Sequence, residues 1–425
     1  MLRRLRTKTG RDYALTFVTE FIVLLAGVAV YKFAAKQLGE TGFSEYAIVR
    51  RTVSFIQPLL IIGLGVGIPR YVAFASVDNS QEKSGAYFIS GFLIIEIITI
   101  FFLAIFNILS SQFSFWIFGN ETFSFFIPYM SLMIFGVITH SIVYSYLRGK
   151  IKMGAANTLQ LLNLGIIPIC VFSMTNDIKD ILLFTGIIWT AVSIIFLIAI
   201  FITLKWNTEN IISHGKELLL YGIQRVPGDV ALAGFLALPA YFTAHLIDDN
   251  LKTAGFVAFG MSLLNMAGAA FGPICLLLLP QASKVIATKD FSKLKIYSNR
   301  IALLTLMITV FALLIFELFT KTILQIYLGE TSTSLILCVR IIMFACVGYS
   351  IYISLRSILD AYYVKAINTK NIFISFIVFI IPSLYIVVQK LNFTYILFVF
   401  IGSMSLLGFL TYLETKKIFF REIEE

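Results

Sequence analysis

The sequence is poor in charge and rich in apolar residues. Only 13% of its 425 residues are charged and 59% are hydrophobic, whereas soluble domains carry about 25% charged and about 45–50% apolar residues. The mean hydropathy is +0.92. A bilayer-spanning helix uses about 20 apolar residues, so twelve spans would use about 240 residues and leave only short loops and tails. This composition excludes a sizeable soluble catalytic domain and predicts a polytopic membrane protein.

Motifs of common enzymes and metal sites are also missing. The chain contains no GxxxxGK[ST], HExxH or GxSxG sequence and no Asp-x-Asp, so ATP hydrolysis and metal-assisted glycosyl transfer are not expected. Its four cysteines lie in apolar runs without zinc-ligand spacing and are interpreted as apolar filler. The prediction is a chain without enzymatic activity, cofactor or metal.

Hydropathy and charge together predict topology. The apolar segments are placed at about 13–36, 46–75, 86–110, 123–147, 155–175, 181–204, 218–247, 253–283, 301–320, 333–360, 371–389 and 393–414. With the N-terminus in the cytoplasm, cytoplasmic segments carry 21 lysines and arginines and outside loops carry five. This bias predicts that both termini are cytoplasmic. The net charge of +10 then reflects topology and attraction to anionic lipid, not nucleic-acid binding.

Three short matches at nearly equal offsets suggest an internal repeat. They pair Gly42-Phe43 with Gly255-Phe256, Pro69 with Pro280, and Leu147-Arg148 with Leu355-Arg356. An even number of helices in each half makes the halves parallel, which is a transporter architecture. The sequence therefore predicts a six-helix bundle over residues 1–204, a cytoplasmic linker over 205–217 and a second six-helix bundle over 218–425.

Charged residues within the predicted spans are the candidate functional residues. A charge at the bilayer centre costs at least about 2.5–3.5 kcal/mol, so it should face a partner or a hydrated cavity. Arginine and lysine outnumber acids in these spans, which favours an anionic cargo. Arg225 with Asp229, and Arg356 with Asp360, share a helix face at i,i+4 spacing. They are predicted to bind substrate; the alternative is a structural ion pair at the membrane edge.

Further candidates lie in the first, second, third, seventh and ninth spans. Pro227 and Gly228 are predicted to form a hinge, because proline removes a backbone donor and glycine loosens the helix. Of the adjacent pair Arg50 and Arg51, one is expected to extend outward while the other faces the cavity. Three acids are candidates for ion coupling, which would use a proton or sodium: Glu20, Glu96 and Glu317.

Several passages resemble those of one transporter family. They are Gln37-Leu38-Gly39 with Gly42-Phe43-Ser44-Glu45-Tyr46, Gly63-Leu64-Gly65 with Ile68-Pro69-Arg70-Tyr71, Leu147-Arg148-Gly149, Tyr221-Gly222 with Arg225-Val226-Pro227-Gly228-Asp229, Leu279-Pro280-Gln281-Ala282-Ser283, and Arg356 with Leu359-Asp360-Ala361. In order and spacing they resemble the polysaccharide-export flippases, the Wzx-type O-antigen branch of the MOP (MATE-like) superfamily. The family passage has proline at the position of Gln224.

The resemblance implies a V-shaped pair of six-helix bundles around a cationic cavity. It also implies that the chain flips undecaprenyl-pyrophosphate-linked sugar repeat units across a bacterial inner membrane by alternating access. On this reading Arg225, with Arg356 or the Arg50–Arg51 pair, holds the pyrophosphate. The polymerase and chain-length machinery of the same pathway are possible partners.

Two other functions remain open from the sequence. A cation-coupled multidrug exporter of the same fold is the first, and it would favour acids in its cavity. A repeat-unit polymerase is the second, and it would be expected to carry a long outside loop, which the predicted topology does not provide.

Overall fold

The described parts of the chain are helical. The computed structural model describes residues 8–77, 81–205, 210–272, 291–329, 332–363 and 367–424. Within these ranges it contains α-helices, a 3₁₀ turn and a π-helical turn, and no β-strand. The predicted all-α class is confirmed.

Long apolar helices make the chain a multi-pass membrane protein. Among the described residues, nine helices are long and apolar enough to cross a membrane, or ten if the bent pair Thr333–Met343 and Cys346–Asp360 is one crossing. One of the nine, Ala14–Ile61, has 48 residues. A straight helix of this length would measure about 72 Å, more than twice the hydrocarbon thickness, so it can hold two of the predicted spans. The count of twelve stays a prediction.

The chain forms two compact units, Met1–Val226 and Pro227–Glu425. The sequence placed the division in a linker at 205–217. In the structure, the helix Ile211–Ile223 belongs to the first unit, because Ser90 Oγ donates to the carbonyl of Ile211 at 2.7 Å and the Tyr87 hydroxyl donates to Glu217 at 2.6 Å. Two equivalent six-helix bundles stay a prediction.

The first unit is built around one buried helix. Its helical elements are α1 (Lys8–Ile61), α2 (Leu64–Val77), α3 (Gln81–Ile108), α4 (Ser110–Phe118), a 3₁₀ turn (Glu121–Phe125), α5 (Phe126–Gly149), α6 (Met153–Gln160), a π-helical turn (Leu161–Ile166), α7 (Ile167–Met174), α8 (Ile178–Thr203) and α9 (Ile211–Ile223). In the most apolar 18-residue stretch of the span that contains α5, 72% of the residues are buried, against 39% in the corresponding stretches of α3 and α8. Helix α5 is therefore the centre of this unit.

Two glycines interrupt the long helices of the first unit. Gly39 breaks α1 with φ 65° and ψ −176°, and Gly63 follows α1 with φ 68°. Only glycine adopts such angles without strain. The predicted span 46–75 is therefore broken at Gly63. A Cβ on Gly63 would lie 2.5 Å from the carbonyl oxygen of Gly222, so the backbone of α9 packs directly against this break.

The second unit contains α10 (Val226–Leu246), α11 (Lys252–Ala269), α12 (Phe291–Leu328), α13 (Thr333–Met343), α14 (Cys346–Tyr362), α15 (Ile367–Val388) and α16 (Thr394–Glu424). Helix α13 meets α14 at a bend of 41°. A Cβ on Gly408 of α16 would lie 2.5 Å from the carbonyl oxygen of Gly348 in α14. Glycine therefore permits close backbone packing in this unit too.

The predicted seventh span is interrupted just before the predicted hinge. Helix α9 ends at Ile223 and α10 begins at Val226, so the break falls at Gln224–Arg225. Pro227 lies in the first turn of α10, where its missing N–H costs no hydrogen bond. Gly228 is buried, and a Cβ there would lie 2.8 Å from Thr369 Oγ1. A hinge role for Pro227 and Gly228 stays a prediction.

Candidate functional site

A polar cavity of about 460 Å³ lies within the first unit. Helices α1, α2, α5 and α8 line it together with the segment from α6 through the π-helical turn. Its charged and polar lining residues are Arg50, Ser54, Gln57, His140, Ser141, Tyr144, Ser145, Arg148, Gln160 and Trp189. Two arginines and no aspartate or glutamate line this cavity within the part of the chain that the structure describes.

Arg50 and Trp189 form the cationic wall of the cavity. The Arg50 Cζ lies 5.5 Å from the centroid of the Trp189 ring, within the range of cation–π attraction. Arg50 Nη1 and Trp189 Nε1 are both buried and have no hydrogen-bond partner among the described residues. An unsatisfied buried donor costs roughly 1–3 kcal/mol, so both atoms are suited to receive ligand oxygens. Arg51 is buried but does not line the cavity.

His140 is held in the cavity wall by two amides. Its Nε2 lies 3.1 Å from Gln160 Oε1, and its Nδ1 lies 3.1 Å from Asn163 Nδ2. With these amide orientations, His140 donates through Nε2 and accepts through Nδ1. Asn163 also donates to Ser193 Oγ at 2.9 Å and lies in the π-helical turn, a type of turn that is frequent at functional sites. These hydrogen bonds hold the His140 ring in the wall of the cavity.

Glu20, one of the coupling candidates, lies beside Arg148 and not in the cavity lining. The Tyr144 hydroxyl donates to Glu20 Oε1 at 3.4 Å, and Gln160 and Arg148 lie near the same carboxylate. The Arg148 Cζ lies 5.5 Å from the Tyr144 ring centroid. The acid is therefore connected to the cavity through Tyr144, which lines it.

A second group of candidates meets within the second unit. The Arg356 Cζ lies 5.8 Å from the centroid of the Tyr352 ring. Asp360 and Asp229 are charged neighbours of the same tyrosine. Asn368 Nδ2 donates to Asp360 Oδ1 at 2.8 Å and to the carbonyl of Arg356 at 2.9 Å. Asn368 therefore connects Asp360 with the backbone of Arg356, in a group that also includes Tyr352 and Asp229.

The predicted repeat has a geometric counterpart. Arg148 in α5 and Arg356 in α14 each lie over the ring of the tyrosine four residues earlier, Tyr144 and Tyr352. The two Tyr–Arg pairs are separated along the chain by the same offset that matched Leu147-Arg148 with Leu355-Arg356 in the sequence. Pro280, the second half of another match, lies outside the described residues.

Arg225 and Asp229 fall in different units. The boundary lies between Val226 and Pro227, so their predicted pairing stays a prediction. Within the first unit, the Arg225 Cζ lies 4.8 Å from the ring centroid of Tyr221 in α9. The Arg70 Cζ lies 4.9 Å from the same ring.

The other two coupling candidates have partners that the sequence did not predict. Glu96 is buried in α3, where its Oε1 accepts a hydrogen bond from Thr139 Oγ1 at 3.1 Å. Glu317 forms an ion pair with Arg340, with 3.0 Å between Glu317 Oε2 and Arg340 Nε. The Arg340 Nη2 also donates to the Glu317 carbonyl at 2.7 Å. Glu317 is therefore not a lone acid, and neither acid lines the cavity of the first unit.

Sequence reasoning missed Trp189, Gln160 and Asn163. Each lies in an apolar run and carries no motif, so only the side-chain geometry connects it with Arg50 or His140. No group of three or more His, Cys, Asp or Glu residues that could hold a metal ion occurs within the described ranges.

No family model matches the sequence, and no curated protein matches it. Solved structures do match over nearly full length. The chain is 11% identical to a multidrug resistance MATE family transporter of the MOP superfamily in an inward-facing conformation, with a TM-score of 0.79 over 97% of this chain and 99% of that one. It is 10% identical to the eukaryotic MATE transporter AtDTX14, with a TM-score of 0.71 over 98% of each chain.

A third similar structure is a MOP superfamily transporter from Pyrococcus furiosus. The identity is 12% and the TM-score is 0.65, over 99% of this chain and 98% of that one. Its description reports a binding pocket of reversed polarity that suggests a different function. Identities this low establish the fold alone. The chain has the all-α fold of MATE transporters of the MOP superfamily.

Proposed function

We propose that the chain is an alternating-access transporter that flips undecaprenyl-pyrophosphate-linked oligosaccharide repeat units, of the O-antigen or a related surface polysaccharide, across the bacterial inner membrane. The observation that carries this proposal is the cavity of the first unit. Its charged lining residues are Arg50 and Arg148, and no acid lines it among the described residues. Such a cavity suits an anionic cargo.

The free donors of the cavity match the chemistry of a pyrophosphate. Arg50 Nη1 and Trp189 Nε1 are buried without hydrogen-bond partners, and phosphoryl oxygens accept hydrogen bonds from such donors. Arginine is always charged and its planar fork bonds two oxygens at once. A hydrogen bond that involves a charged group contributes about 1.5–3 kcal/mol. A pyrophosphate beside Arg50 would satisfy both donors and neutralise the charge of the wall.

The amide and hydroxyl groups around His140 suit the sugar part of the cargo. Gln57 Nε2 donates to Ser141 Oγ at 2.9 Å, and both residues line the cavity with Ser54 and Tyr144. A volume of about 460 Å³ is within the usual range of about 300–1,000 Å³ for ligand pockets. It accommodates a pyrophosphate with an adjoining sugar.

The fold supports a transport role. The structural neighbours are described as transporters, and the one from Pyrococcus furiosus is described with a pocket of reversed polarity. Coupling to a proton or sodium gradient, cytoplasmic termini, and cooperation with the polymerase and chain-length machinery belong to the same proposal.

A cation-coupled multidrug exporter is the alternative. One neighbour is described as a multidrug resistance transporter, and the buried Glu96 has one oxygen, Oε2, without a hydrogen-bond partner among the described residues. A buried acid of this kind would suit a cationic drug. The arginine-lined cavity of the first unit favours the flippase.

The test uses purified full-length protein in proteoliposomes with a fluorescent, short-chain polyprenyl-pyrophosphate-linked oligosaccharide. Protection of the probe from an impermeant reductant reports which leaflet it occupies. We expect wild-type protein and Lys32→Gln, which removes an exposed cation of α1, to flip the probe. Arg50→Gln should flip it at least about tenfold more slowly, since one charge-assisted hydrogen bond is worth about that factor.

Two results would overturn the proposal. The first is flipping by Arg50→Gln at the wild-type rate. The second is a deletion strain that keeps its surface glycan and does not accumulate lipid-linked repeat units on the cytoplasmic leaflet. A deletion strain that instead becomes sensitive to cationic drugs would favour the multidrug exporter.

A further inference from the structure

Two arginines of the first unit share one tyrosine ring outside the cavity. The Arg70 Cζ lies 4.9 Å and the Arg225 Cζ 4.8 Å from the ring centroid of Tyr221. Arg70 Nη1 also donates to the Tyr221 hydroxyl at 3.2 Å. The two guanidinium carbons therefore lie at most about 10 Å apart. This is about the distance over which salt screens charges at 0.1 M ionic strength, so the two like charges still repel each other.

The packing of α9 holds this arginine pair together. Gly222, next to Tyr221, packs with its backbone against the α1–α2 break, where a Cβ on Gly63 would lie 2.5 Å from the Gly222 carbonyl oxygen. Tyr71 meets the Tyr221 ring edge-on, with 5.7 Å between centroids. The ring is therefore held by Tyr71 of α2 and by the packing of Gly222 at the α1–α2 break. It positions both guanidinium groups, because each is attracted to the ring's π-electrons.

The acid nearest in sequence on the same face of α9 is occupied elsewhere. Glu217 accepts a hydrogen bond from the Tyr87 hydroxyl at 2.6 Å and lies 3.9 Å from His214 Nδ1. Neither Arg70 nor Arg225 forms an ion pair within the residues of the first unit that the structure describes. Arg70 is exposed and Arg225 is half-buried, so the pair is accessible to a ligand.

We infer that Arg70 and Arg225, held by Tyr221, bind the phosphate-bearing headgroup of a lipid. Two guanidinium forks can bond several phosphoryl oxygens at once. The predicted topology puts this end of α2 and α9 at the cytoplasmic surface, where anionic headgroups and basic residues meet. This inference rests on the proposed function in one respect, since the cargo's pyrophosphate would be held here before it reaches Arg50.

The test measures binding to the full-length protein in an uncharged detergent by titration calorimetry. Three probes are used: farnesyl pyrophosphate, a short-chain phosphatidylglycerol and inorganic pyrophosphate. In the double variant R70Q/R225Q we expect the Kd for farnesyl pyrophosphate to rise about tenfold or more, since each lost charge-assisted hydrogen bond is worth about that factor. Lys216→Gln is the matched control, because Lys216 lines an apolar groove elsewhere on α9. The Kd of the Lys216→Gln variant for farnesyl pyrophosphate should stay at the wild-type value.

Further variants separate the role of the ring from that of the charge. Tyr221→Phe keeps the ring and removes only the hydroxyl that Arg70 bonds, so binding should weaken slightly. Tyr221→Leu removes the ring and should weaken binding several-fold. Equal thermal unfolding midpoints show that the variants are folded.

The probes identify the source of the phosphate. Loss of farnesyl pyrophosphate binding alone supports a headgroup site for the cargo, and parallel loss of phosphatidylglycerol binding supports a general phospholipid site. Unchanged farnesyl pyrophosphate binding in R70Q/R225Q overturns the inference, as does an equal loss in Lys216→Gln. The two proposals fail separately. An unchanged Kd in R70Q/R225Q overturns this inference and leaves the proposed function standing, whereas flipping by Arg50→Gln at the wild-type rate overturns the proposed function while the binding lost in R70Q/R225Q still supports a headgroup site.

Discussion

Replacing Gly222 by alanine tests how α9 is seated on the first unit. A Cβ on Gly222 would contact the carbonyl oxygen of Ile62 and lie 3.1 Å from Leu64 Cδ2. The carbonyl belongs to the backbone at the α1–α2 break and cannot rotate away. Either α9 moves outward or the break is distorted, and Tyr221 moves with it.

The size of the effect follows from overpacking. Inserting one methyl group into a tightly packed contact costs about 1–3 kcal/mol. For a unit of the size of Met1–Val226, each kcal/mol lowers the unfolding midpoint by about 2–4 °C, so Gly222→Ala should lower it by about 2–12 °C. Gly63→Ala should lower it further, because its φ of 68° adds about 1–2 kcal/mol of backbone strain for alanine.

The assay is thermal unfolding in detergent, with Gly154→Ala as the matched control. A Cβ on Gly154 would meet nothing within 4 Å, and alanine inside a helix is about 0.5–1 kcal/mol more favourable than glycine. The control should therefore unfold at the wild-type temperature or slightly above it. If Gly222→Ala unfolds at the same temperature as Gly154→Ala, the close packing of α9 at the break is wrong.

Three further predictions concern individual side chains. Glu317→Gln should reduce stability and leave ion coupling unchanged, because Glu317 is paired with Arg340; a double-mutant cycle should give a coupling energy of about 0.2–1 kcal/mol, the range for partly exposed pairs. Burial lowers the pKa of His214 below 6.5, Lys83 lowers it too, and the Glu217 carboxylate only partly opposes the shift, so the unfolded chain binds the proton first. Stability should therefore fall as pH drops below 6.5, and less so in His214→Gln. Trp189 fluorescence should change when a polyprenyl-pyrophosphate probe binds, in a protein whose other tryptophans are phenylalanine.

Each of these has a contrary outcome. Loss of gradient dependence in Glu317→Gln with unchanged stability would restore its predicted coupling role. An identical pH dependence of the unfolding midpoint in wild type and His214→Gln would mean that folding does not lower the pKa of His214. A fluorescence change that persists in Arg50→Gln would separate Trp189 from the anion site.

Periodicity and composition were sufficient for the class of the protein. A bilayer requires long apolar helices with internally satisfied backbones, and that requirement is visible residue by residue along the chain. The sequence also singled out charges within apolar spans as candidate functional residues, since a charge inside a membrane is costly wherever the helix packs. Arg50 is the clearest example, because it was a candidate by residue type alone and it lines the cavity.

Which of the candidate charged residues line a cavity and which form ion pairs depended on tertiary packing. Arg50 and Arg51 are adjacent in sequence, but successive side chains on a helix point about 100° apart, and only the position of α8 determines that Arg50 meets Trp189. Glu317 looked unpaired until α13 brought Arg340 beside it. Rotation of each helix about its own axis is set by contacts between distant segments, which a single sequence does not contain. The sequence thus determined that cations occur within long apolar helices, and the tertiary structure decided that Arg50 lines a polar cavity while Arg51 does not.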